Sequence, residues 1–195
     1  MRARVRLVLS LRALPPRVAW FYWRASRWAR RADDRFSLAS AARPLELAEL
    51  LALARGRTSI VELGTGTGWS AIALALADSG RRVISYDPCL RPEREDYLRI
   101  AGMEARRRIE LREEPDTRGP HAGDPPVELL FVDSSHEREA VLGAFGAWRG
   151  ALAGGAAVVF HDYGHPSYPG VREAVGELGL AGGVERGGVF VWRAP

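Results

Sequence analysis

The sequence has 195 residues, of which 47% are hydrophobic and 27% are charged. A chain of this length and composition folds as one globular domain with its own core, which excludes a disordered or low-complexity chain. The single cysteine, Cys89, cannot form an internal disulfide and fits a reducing, cytoplasmic compartment. All 28 basic residues are Arg, so no Lys is available as a catalytic base.

Positive charge is concentrated at the start of the chain. Residues 1–35 hold ten Arg and two Asp, a net charge of +8, whereas residues 36–195 carry −4. We therefore expect an Arg/Trp-rich helical arm over residues 1–35 and a single catalytic domain over residues 36–195. The apolar run at residues 7–11 is too short for a signal peptide and is closed by Arg12. No run approaches the ~20 apolar residues of a membrane span.

The first predicted helix begins at Pro16 and reads PRVAWFYWRASRWARR. Its aromatic residues are interleaved with Arg, which leaves three interpretations open: packing on the domain, a lid over a substrate, or contact with a membrane surface or nucleic acid. Residues 33–42 contain turn formers and predict a connector. A second helix begins at Pro44, carries leucines on one face and ends at Gly56.

The segment TSIVELGTGTGWS, residues 58–70, predicts a strand, a tight glycine loop and a helix. Gly64 and Gly66 allow positive φ and a close approach of a ligand, and the first amides of the helix are unpaired donors. A dinucleotide fingerprint requires a third small residue at the position of Trp69. The bulky indole disfavours an NAD(P)-dependent Rossmann oxidoreductase, which remains an alternative.

The loop follows the pattern E-x-G-x-G-x-G from Glu62 to Gly68. On this motif the chain resembles the class I S-adenosylmethionine-dependent methyltransferases, whose first motif has the same form. The resemblance covers residues 44–192 and implies S-adenosyl-L-methionine as the cofactor, with the methionine carboxylate held by Ser70. It implies a cofactor shell made by the motif and the start of the next helix: Glu62, Gly64, Thr65, Gly66, Gly68, Trp69 and Ser70.

An acidic residue follows the second predicted strand. Residues 82–86 read as a parallel strand that ends at Asp87, 23 residues after Gly64. This spacing is near the ~20 residues expected for an acid that accepts hydrogen bonds from the ribose hydroxyls, although an Asp here could also cap the next helix. A helix at residues 92–101 and a strand at residues 108–112 come next.

The remaining segments complete an α/β pattern. The loop at residues 113–126 contains candidates for contacts with adenine: Glu113, Glu114 and Asp116. Strands and helices then alternate at residues 127–132, 137–148, 156–160 and 171–178, and two short apolar runs flank Gly187-Gly188, which predicts a hairpin. We predict a Rossmann-like, doubly wound sheet of about seven strands, mostly parallel, with a C-terminal antiparallel hairpin.

Charged residues follow the fourth and fifth strands, at the edge where parallel strands present their carboxyl ends. The segments FVDSSHE and VVFHDYGHPSYPGV resemble a branch of small-molecule O-methyltransferases that includes the catechol type. The resemblance implies a divalent cation such as Mg²⁺ at Asp133, His161 and Asp162, a cofactor contact from Asp133, and a general base at His136. His161 departs from this branch, in which an oxygen donor is usual at its position.

We therefore expect a methyltransferase that moves a methyl group to a hydroxyl oxygen of a small molecule, with Asp133 and His136 as catalytic residues. An imidazole suits proton transfer at neutral pH, although His136 could merely cap a helix. Two further alternatives stay open: a hydrolase that uses Ser134 or Ser135, and a non-catalytic module whose arm binds a membrane or nucleic acid. For the methyltransferase we expect no nucleic-acid partner, and we leave open a weak membrane-surface contact by residues 1–35 and a homo-oligomer.

Overall fold

The structure is a computed structural model that describes residues 10–195. The first nine residues of the predicted arm, with most of its apolar run, lie outside the described residues. The helices are α1 (Pro16–Arg31), α2 (Arg35–Ser40), α3 (Pro44–Leu53), α4 (Trp69–Ala77), α5 (Glu93–Ala101), α6 (Met103–Arg106), α7 (Arg138–Trp148) and α8 (Pro169–Leu178). The strands are β1 (Ser59–Leu63), β2 (Arg82–Tyr86), β3 (Ile109–Arg112), β4 (Val127–Val132), β5 (Leu152–Phe160), β6 (Val184–Arg186) and β7 (Val189–Arg193). Within residues 10–195, no helix is both long enough and apolar enough to cross a membrane.

One sheet holds the strands in the order β3-β2-β1-β4-β5-β7-β6. β1 to β5 pair in parallel, and β7 runs antiparallel to both β5 and β6. The predicted Rossmann-like sheet with a C-terminal antiparallel hairpin is confirmed. The strand order reverses between β1 and β4, so the connections after these two strands lead to opposite sides and leave a crevice at their carboxyl ends.

Both faces of the sheet are buried, as is usual for parallel strands. Successive residues of a strand point to opposite faces, and Ile60 and Val61 of β1 accordingly belong to different core clusters. The cluster around Ile60 includes residues of α1, α3, α4 and α5. The cluster around Val61 includes residues of α7 and α8. The sheet is therefore the middle layer of three.

The inner face of α1 belongs to the core of the domain. Its buried residues recur every three or four positions: Val18, Phe21, Tyr22, Ala25, Ser26 and Ala29. The rings of Phe21 and Tyr22 meet the indole of Trp69 edge-on, with centroid distances of 6.1 and 5.1 Å. Of the three interpretations of this helix, packing on the domain describes its inner face. The boundary between arm and domain at residue 35 stays a prediction.

The segment predicted as a connector contains the helix α2. Asp34 caps this helix, because its carboxylate accepts hydrogen bonds from the backbone N–H of Ser37 at 2.9 Å and from the Ser37 hydroxyl at 2.6 Å. Tyr97 of α5 donates to the same carboxylate at 2.6 Å. The Ser37 hydroxyl also lies 2.8 Å from the hydroxyl of Thr67 in the glycine loop. The turn formers thus produce a short helix that ties α1 and α5 to the glycine loop.

Candidate active site

A cavity of about 600 Å³ opens at the carboxyl ends of β1, β2, β4 and β5. The glycine loop lines it after β1, and four charged or ionisable residues line it after the other strands: Asp87, Asp133, His161 and Asp162. Parallel strands end at the same edge of a sheet, so residues far apart in sequence converge here. This cavity therefore contains the residues that the sequence singled out at the strand ends.

The glycine loop is pressed against the backbone that follows β4. Gly64 has a φ of +98°, and a Cβ atom added to it would lie 2.1 Å from the carbonyl oxygen of Asp133. No residue with a side chain fits there. Gly66 and Gly68 also have positive φ, of 51° and 85°. The loop closes when the Gly68 N–H donates to the carbonyl of Thr65 at 2.7 Å.

Asp87 holds the glycine loop from the neighbouring strand. Its Oδ2 accepts a hydrogen bond from the Gly66 N–H at 2.8 Å, and its Oδ1 accepts one from the Cys89 N–H at 2.8 Å. Arg94 donates to the Gly66 carbonyl at 2.9 Å and lies 3.4 Å from Asp87 Oδ2. Oδ2 therefore accepts from both Gly66 and Arg94, whereas Oδ1 keeps a second acceptor position for a ligand hydroxyl. Sequence reasoning missed Arg94, because an Arg in the first turn of a helix carries no motif.

Glu62 lies beneath the loop and is fully buried. Its Oε2 accepts a hydrogen bond from Ser85 at 2.5 Å, and among the described residues its Oε1 has no hydrogen-bond partner. Burial raises the pKa of Glu62 to about 7, and the hydroxyls of Ser70 and Ser85 oppose this shift. A buried acceptor without a donor is costly. Oε1 of Glu62 is therefore a buried oxygen whose hydrogen-bonding capacity is unused among the described residues.

The other predicted cofactor residues surround the loop. Thr65, Trp69 and Ser70 line the cavity, whereas Gly68 and Glu62 lie behind its wall. The hydroxyl of Thr65 is 2.6 Å from that of Ser85. Trp69 is 4% exposed, so its indole is packed into the protein at the position where a dinucleotide fold needs a small residue.

Two carboxylates and two imidazoles meet after β4 and β5. Asp133, His136 and Asp162 each offer one ligand atom, and these three atoms lie within 4.8 Å of one another. Nε2 of His136 is 3.0 Å from Oδ2 of Asp162. Asp162 has a φ of +54°, a left-handed backbone conformation that is rare outside glycine and clusters at functional sites. All three residues line the cavity.

His161 is 7% exposed. Its Nδ1 lies 3.0 Å from Asp133 Oδ1 and 3.3 Å from Asp162 Oδ2, although among the described residues it makes no hydrogen bond. Its Nε2 lies 3.5 Å from Oε2 of Glu46. Burial alone would lower the pKa of His161, but the charge of Asp133 and the contacts with Asp162 and Glu46 raise it well above its ordinary value. The three predicted cation ligands, Asp133, His161 and Asp162, are thus neighbours, and His136 joins their cluster.

The predicted base, His136, lies in the cavity wall with 28% of its side chain exposed. Its ring stacks on Tyr168 with a centroid distance of 3.9 Å and an angle of 18°. Tyr168 in turn stacks on His165 at 4.7 Å. Because Asp162 contacts Nε2 of His136, the orientation of the imidazole is fixed by a carboxylate on one side and by an aromatic ring on its face.

The serines after β4 do not form a hydrolase arrangement. Ser134 donates a hydrogen bond to the carboxylate of Asp116, and Ser135 accepts one from the N–H of Glu137 at 3.3 Å. Among residues 10–195, neither serine pairs with a histidine. Of the three adenine candidates, Asp116 lines the cavity, and Glu113 and Glu114 do not.

Three further side chains that line the cavity were missed by sequence reasoning. Arg91 lies over the ring of Phe36, with its Cζ 3.4 Å from the ring centroid, and Glu46 faces His161 from the first turn of α3. All three line the cavity. Phe36 belongs to α2, Glu46 to α3 and Arg91 to the turn before α5, and no local pattern reports how these segments pack around the glycine loop. In the sequence, Glu46 could be recognised only as a residue at the start of a helix.

Residues 61–163 match a family model described as a methyltransferase domain. This segment is more than half of the chain, and it includes the glycine loop, Asp87, Asp133 and the pair at the end of β5. The chain belongs to this methyltransferase family. The predicted resemblance and the predicted enzyme class are therefore confirmed.

Several solved methyltransferase structures have the same fold as this chain. The O-methyltransferase TomG from Streptomyces achromogenes, involved in tomaymycin synthesis and solved with S-adenosylmethionine, is 20% identical, with a TM-score of 0.63 over 93% of this chain and 91% of that one. An O-methyltransferase from Bacillus cereus, in complex with adenosylhomocysteine, is 16% identical, with a TM-score of 0.68 over 90% of both chains.

A third similar structure is a TDP-rhamnose 3′-O-methyltransferase of calicheamicin biosynthesis, 18% identical, with a TM-score of 0.60 over 76% of this chain and 77% of that one. At these identities the likeness shows the fold of the methyltransferase. No curated protein matches its sequence.

Proposed function

We propose that this methyltransferase transfers the methyl group of S-adenosyl-L-methionine to a hydroxyl oxygen of a small molecule. The observation that carries the proposal is the convergence of the glycine loop, Asp87 and His136 on one cavity of about 600 Å³. A cavity of this size suits a small ligand. Similar folds named O-methyltransferases, one with S-adenosylmethionine and one with adenosylhomocysteine, support the proposal.

The cofactor is proposed to lie across the glycine loop. Asp87 would accept hydrogen bonds from the ribose hydroxyls, and the unpartnered oxygen of Glu62 would accept one from the ammonium group of the methionine part, directly or through water. The other residues proposed to contact the cofactor are those of the loop, the start of α4 and the end of β4: Gly64, Thr65, Gly66, Gly68, Trp69, Ser70 and Asp133.

His136 is proposed to accept the proton of the acceptor hydroxyl. Methyl transfer is an in-line displacement, so catalysis consists mainly of holding the oxygen opposite the sulfur and removing its proton. If the Nε2–H of His136 donates to Asp162 at 3.0 Å, Nδ1 is the nitrogen that takes the proton. The carboxylate of Asp162 then stabilises the imidazolium that forms.

A divalent cation is proposed to join the site. Asp133 and Asp162 offer carboxylate oxygens, and a buried imidazole nitrogen without a hydrogen bond, Nδ1 of His161, lies 3.0 and 3.3 Å from them. This set of donors fits a cation. When bound, the ion would lower the pKa of the acceptor hydroxyl.

Isothermal titration calorimetry with adenosylhomocysteine and with NAD tests the cofactor assignment. We expect binding of adenosylhomocysteine and none of NAD, because Trp69 stands where a dinucleotide site needs a small residue. A methylation assay with a panel of phenols, sugars and aliphatic alcohols then tests the acceptor atom. Binding of NAD alone, or methylation of amines but no hydroxyl, would contradict the proposal.

The outer face of α1 supports the proposed contact with a membrane surface. Trp20 and Trp23 are 54% and 44% exposed, and the guanidinium groups of Arg24 and Arg27 lie over these indoles at 4.5 and 4.8 Å. Among the described residues, no carboxylate pairs with either Arg. Exposed indoles and unpaired cations are the features of an interfacial helix.

Co-sedimentation with anionic and neutral vesicles tests this contact. We expect salt-sensitive binding to anionic vesicles that falls in Trp20→Ser/Trp23→Ser and is kept in the control Leu90→Ser, which removes an exposed apolar residue from another surface. Equal binding by both variants would contradict it. We keep two further parts of the proposal. The chain is divided into an arm over residues 1–35 and a catalytic domain over residues 36–195. The protein is located in the cytoplasm, which the single cysteine supports.

A further inference from the structure

The cluster at the end of β5 contains an imidazole nitrogen that lacks a hydrogen bond. His161 is 7% exposed, and its Nδ1 faces two carboxylate oxygens at 3.0 and 3.3 Å. Among residues 10–195, nothing accepts or donates a hydrogen bond at this nitrogen. A buried nitrogen that faces two carboxylates at these distances needs a positive atom between them, either a proton or a metal ion. The bridging atom has to be attractive to one nitrogen and two carboxylates.

The two distances from Nδ1 match edges of the octahedron around a metal ion. With metal–ligand bonds of about 2.1 Å, adjacent ligands of an octahedron are about 3.0 Å apart. Nδ1 of His161 is 3.0 Å from Oδ1 of Asp133 and 3.3 Å from Oδ2 of Asp162. An ion at this position would replace the proton on Nδ1 and remove the unsatisfied contact.

The other ring nitrogen of His161 faces a carboxylate. Nε2 lies 3.5 Å from Oε2 of Glu46, and the same oxygen accepts a hydrogen bond from the Arg43 N–H at 2.7 Å. Metal-binding histidines usually donate their second ring N–H to a carboxylate or carbonyl, which fixes the tautomer. With the proton on Nε2, beside Glu46, the lone pair of Nδ1 faces Asp133 and Asp162.

The geometry points to a first-row transition-metal dication, such as Mn²⁺, Fe²⁺, Co²⁺ or Zn²⁺, as the ion of this site in preference to Mg²⁺, with His161 Nδ1, Asp133 and Asp162 as its ligands. Mg²⁺ takes oxygen ligands, whereas an imidazole nitrogen favours the later ions of the row. His136 is the more exposed of the two imidazoles and is bonded to Asp162, so it stays available as the base. The inference rests on the cation site of the proposed function.

The choice of ion is tested by titrating the untagged, chelator-treated protein with Co²⁺, Mn²⁺ and Mg²⁺. Calorimetry gives the affinities, and the visible absorption bands of Co²⁺ report nitrogen ligation without any assay of activity. We expect Co²⁺ and Mn²⁺ to bind at least ~10-fold more tightly than Mg²⁺. In His161→Asn, which offers an oxygen instead, this ratio should fall about 10-fold and the Co²⁺ bands should change.

A matched control is His121→Asn. His121 also lies beside a carboxylate, with its Nε2 2.9 Å from Oε2 of Glu114, and it does not line the cavity. It should keep the wild-type ratio of affinities. An unchanged ratio in His161→Asn, or Mg²⁺ binding as tight as Co²⁺ in the wild type, would overturn the inference.

If His161→Asn does not fold, a second variant tests the inference. Glu46→Gln keeps His161 and should weaken Co²⁺ binding about 10-fold by loosening the imidazole. Wild-type affinity for Co²⁺ in this variant would count against the inference.

Binding of adenosylhomocysteine to the metal-free protein separates the choice of ion from the proposed function. If it binds and no metal prefers the site, the methyltransferase proposal stands and the choice of ion fails. If it does not bind, the proposed function itself fails.

Discussion

Asp87 connects the strand β2 to the glycine loop through both of its oxygens. Gly66 and Cys89 donate backbone hydrogen bonds to it at 2.8 Å each, so the carboxylate fixes the loop before a ligand arrives. We expect Asp87→Ala to weaken binding of adenosylhomocysteine by roughly 1–3 kcal/mol, the scale for losing a charged hydrogen-bond partner. Calorimetry measures this change. Asp96→Ala is the control, since Asp96 pairs with Arg99 on the surface, and unchanged affinity in Asp87→Ala would remove Asp87 from the site.

His136 should act in turnover and not in cofactor binding. Its ring is oriented by Asp162 at 3.0 Å and by the stacked ring of Tyr168. We expect His136→Ala to lower kcat by about 10²- to 10⁴-fold, the range for loss of a general base, and to leave the Kd of adenosylhomocysteine nearly unchanged. His121→Ala serves as the control. Equal losses in turnover and cofactor affinity would contradict a role as the base.

Glu62 should make the stability of the ligand-free protein depend on pH. Burial raises its pKa from 4.5 to about 7 in the folded state, so the fold favours the protonated carboxyl. Its contribution to stability is fully present below pH 4.5 and is lost as the pH rises through about 7. We expect the free energy of unfolding to fall over this window by about 3 kcal/mol, and we expect this fall to disappear in Glu62→Gln.

Urea unfolding at several pH values measures this difference between wild type and Glu62→Gln. The difference between the two curves isolates Glu62 from the other titrating groups, including His161. Parallel curves for the two proteins would show that folding does not raise the pKa of Glu62.

The sequence predicts those residues of the candidate site that belong to a motif or follow the end of a strand. Asp87, Asp133 and Asp162 follow buried strands, and a parallel sheet brings such ends together without further information. Arg94 and Glu46 could not be found in this way. Each belongs to the first turn of a helix, where charged residues are common. Only the packing of that helix brings Arg94 to the glycine loop and Glu46 to the cavity.

At the scale of elements, the contact between the glycine loop and the end of β4 is the tightest backbone approach in the site. A Cβ on Gly64 would lie 2.1 Å from the Asp133 carbonyl oxygen. We expect Gly64→Ala to destabilise the protein by more than about 3 kcal/mol, because the backbone on both sides has to move. The control Gly56→Ala has a φ of +71° and no atom within 4 Å of the added Cβ, so it should cost only about 1 kcal/mol. Similar unfolding free energies for the two variants would show that the loop yields easily.

Helix and strand types were predicted well, and the differences lie where turn formers are dense. The prediction placed the fifth strand at residues 156–160, whereas β5 begins at Leu152 and includes Gly154 and Gly155. The register of β4 with β5 shifts near Val127, which accommodates the glycines as an irregularity within the strand. At α2, the residues read as turn formers became the cap of a helix because Tyr97 and Thr67 supply partners from elsewhere in the fold.

For the whole molecule, the two faces of α1 should respond differently to substitution. Phe21 is 1% exposed and contacts Trp69, whereas Trp20 is 54% exposed. We expect Phe21→Ala to lower the free energy of unfolding by about 3–5 kcal/mol, the range for a buried aromatic residue, and Trp20→Ala to change it by less than about 0.5 kcal/mol. Denaturant unfolding measures both. Wild-type stability in Phe21→Ala would mean that α1 is not held on the domain in solution.

The order of the helices along the chain has a consequence for synthesis on the ribosome. The aromatic residues that cover the inner face of α1, Trp69 and Tyr97, are translated after it, so the newly made helix has to wait with Phe21 and Tyr22 uncovered until α4 and α5 have emerged. During that interval the nascent chain exposes a hydrophobic, positively charged segment, of the kind that chaperones at the ribosomal exit tunnel bind.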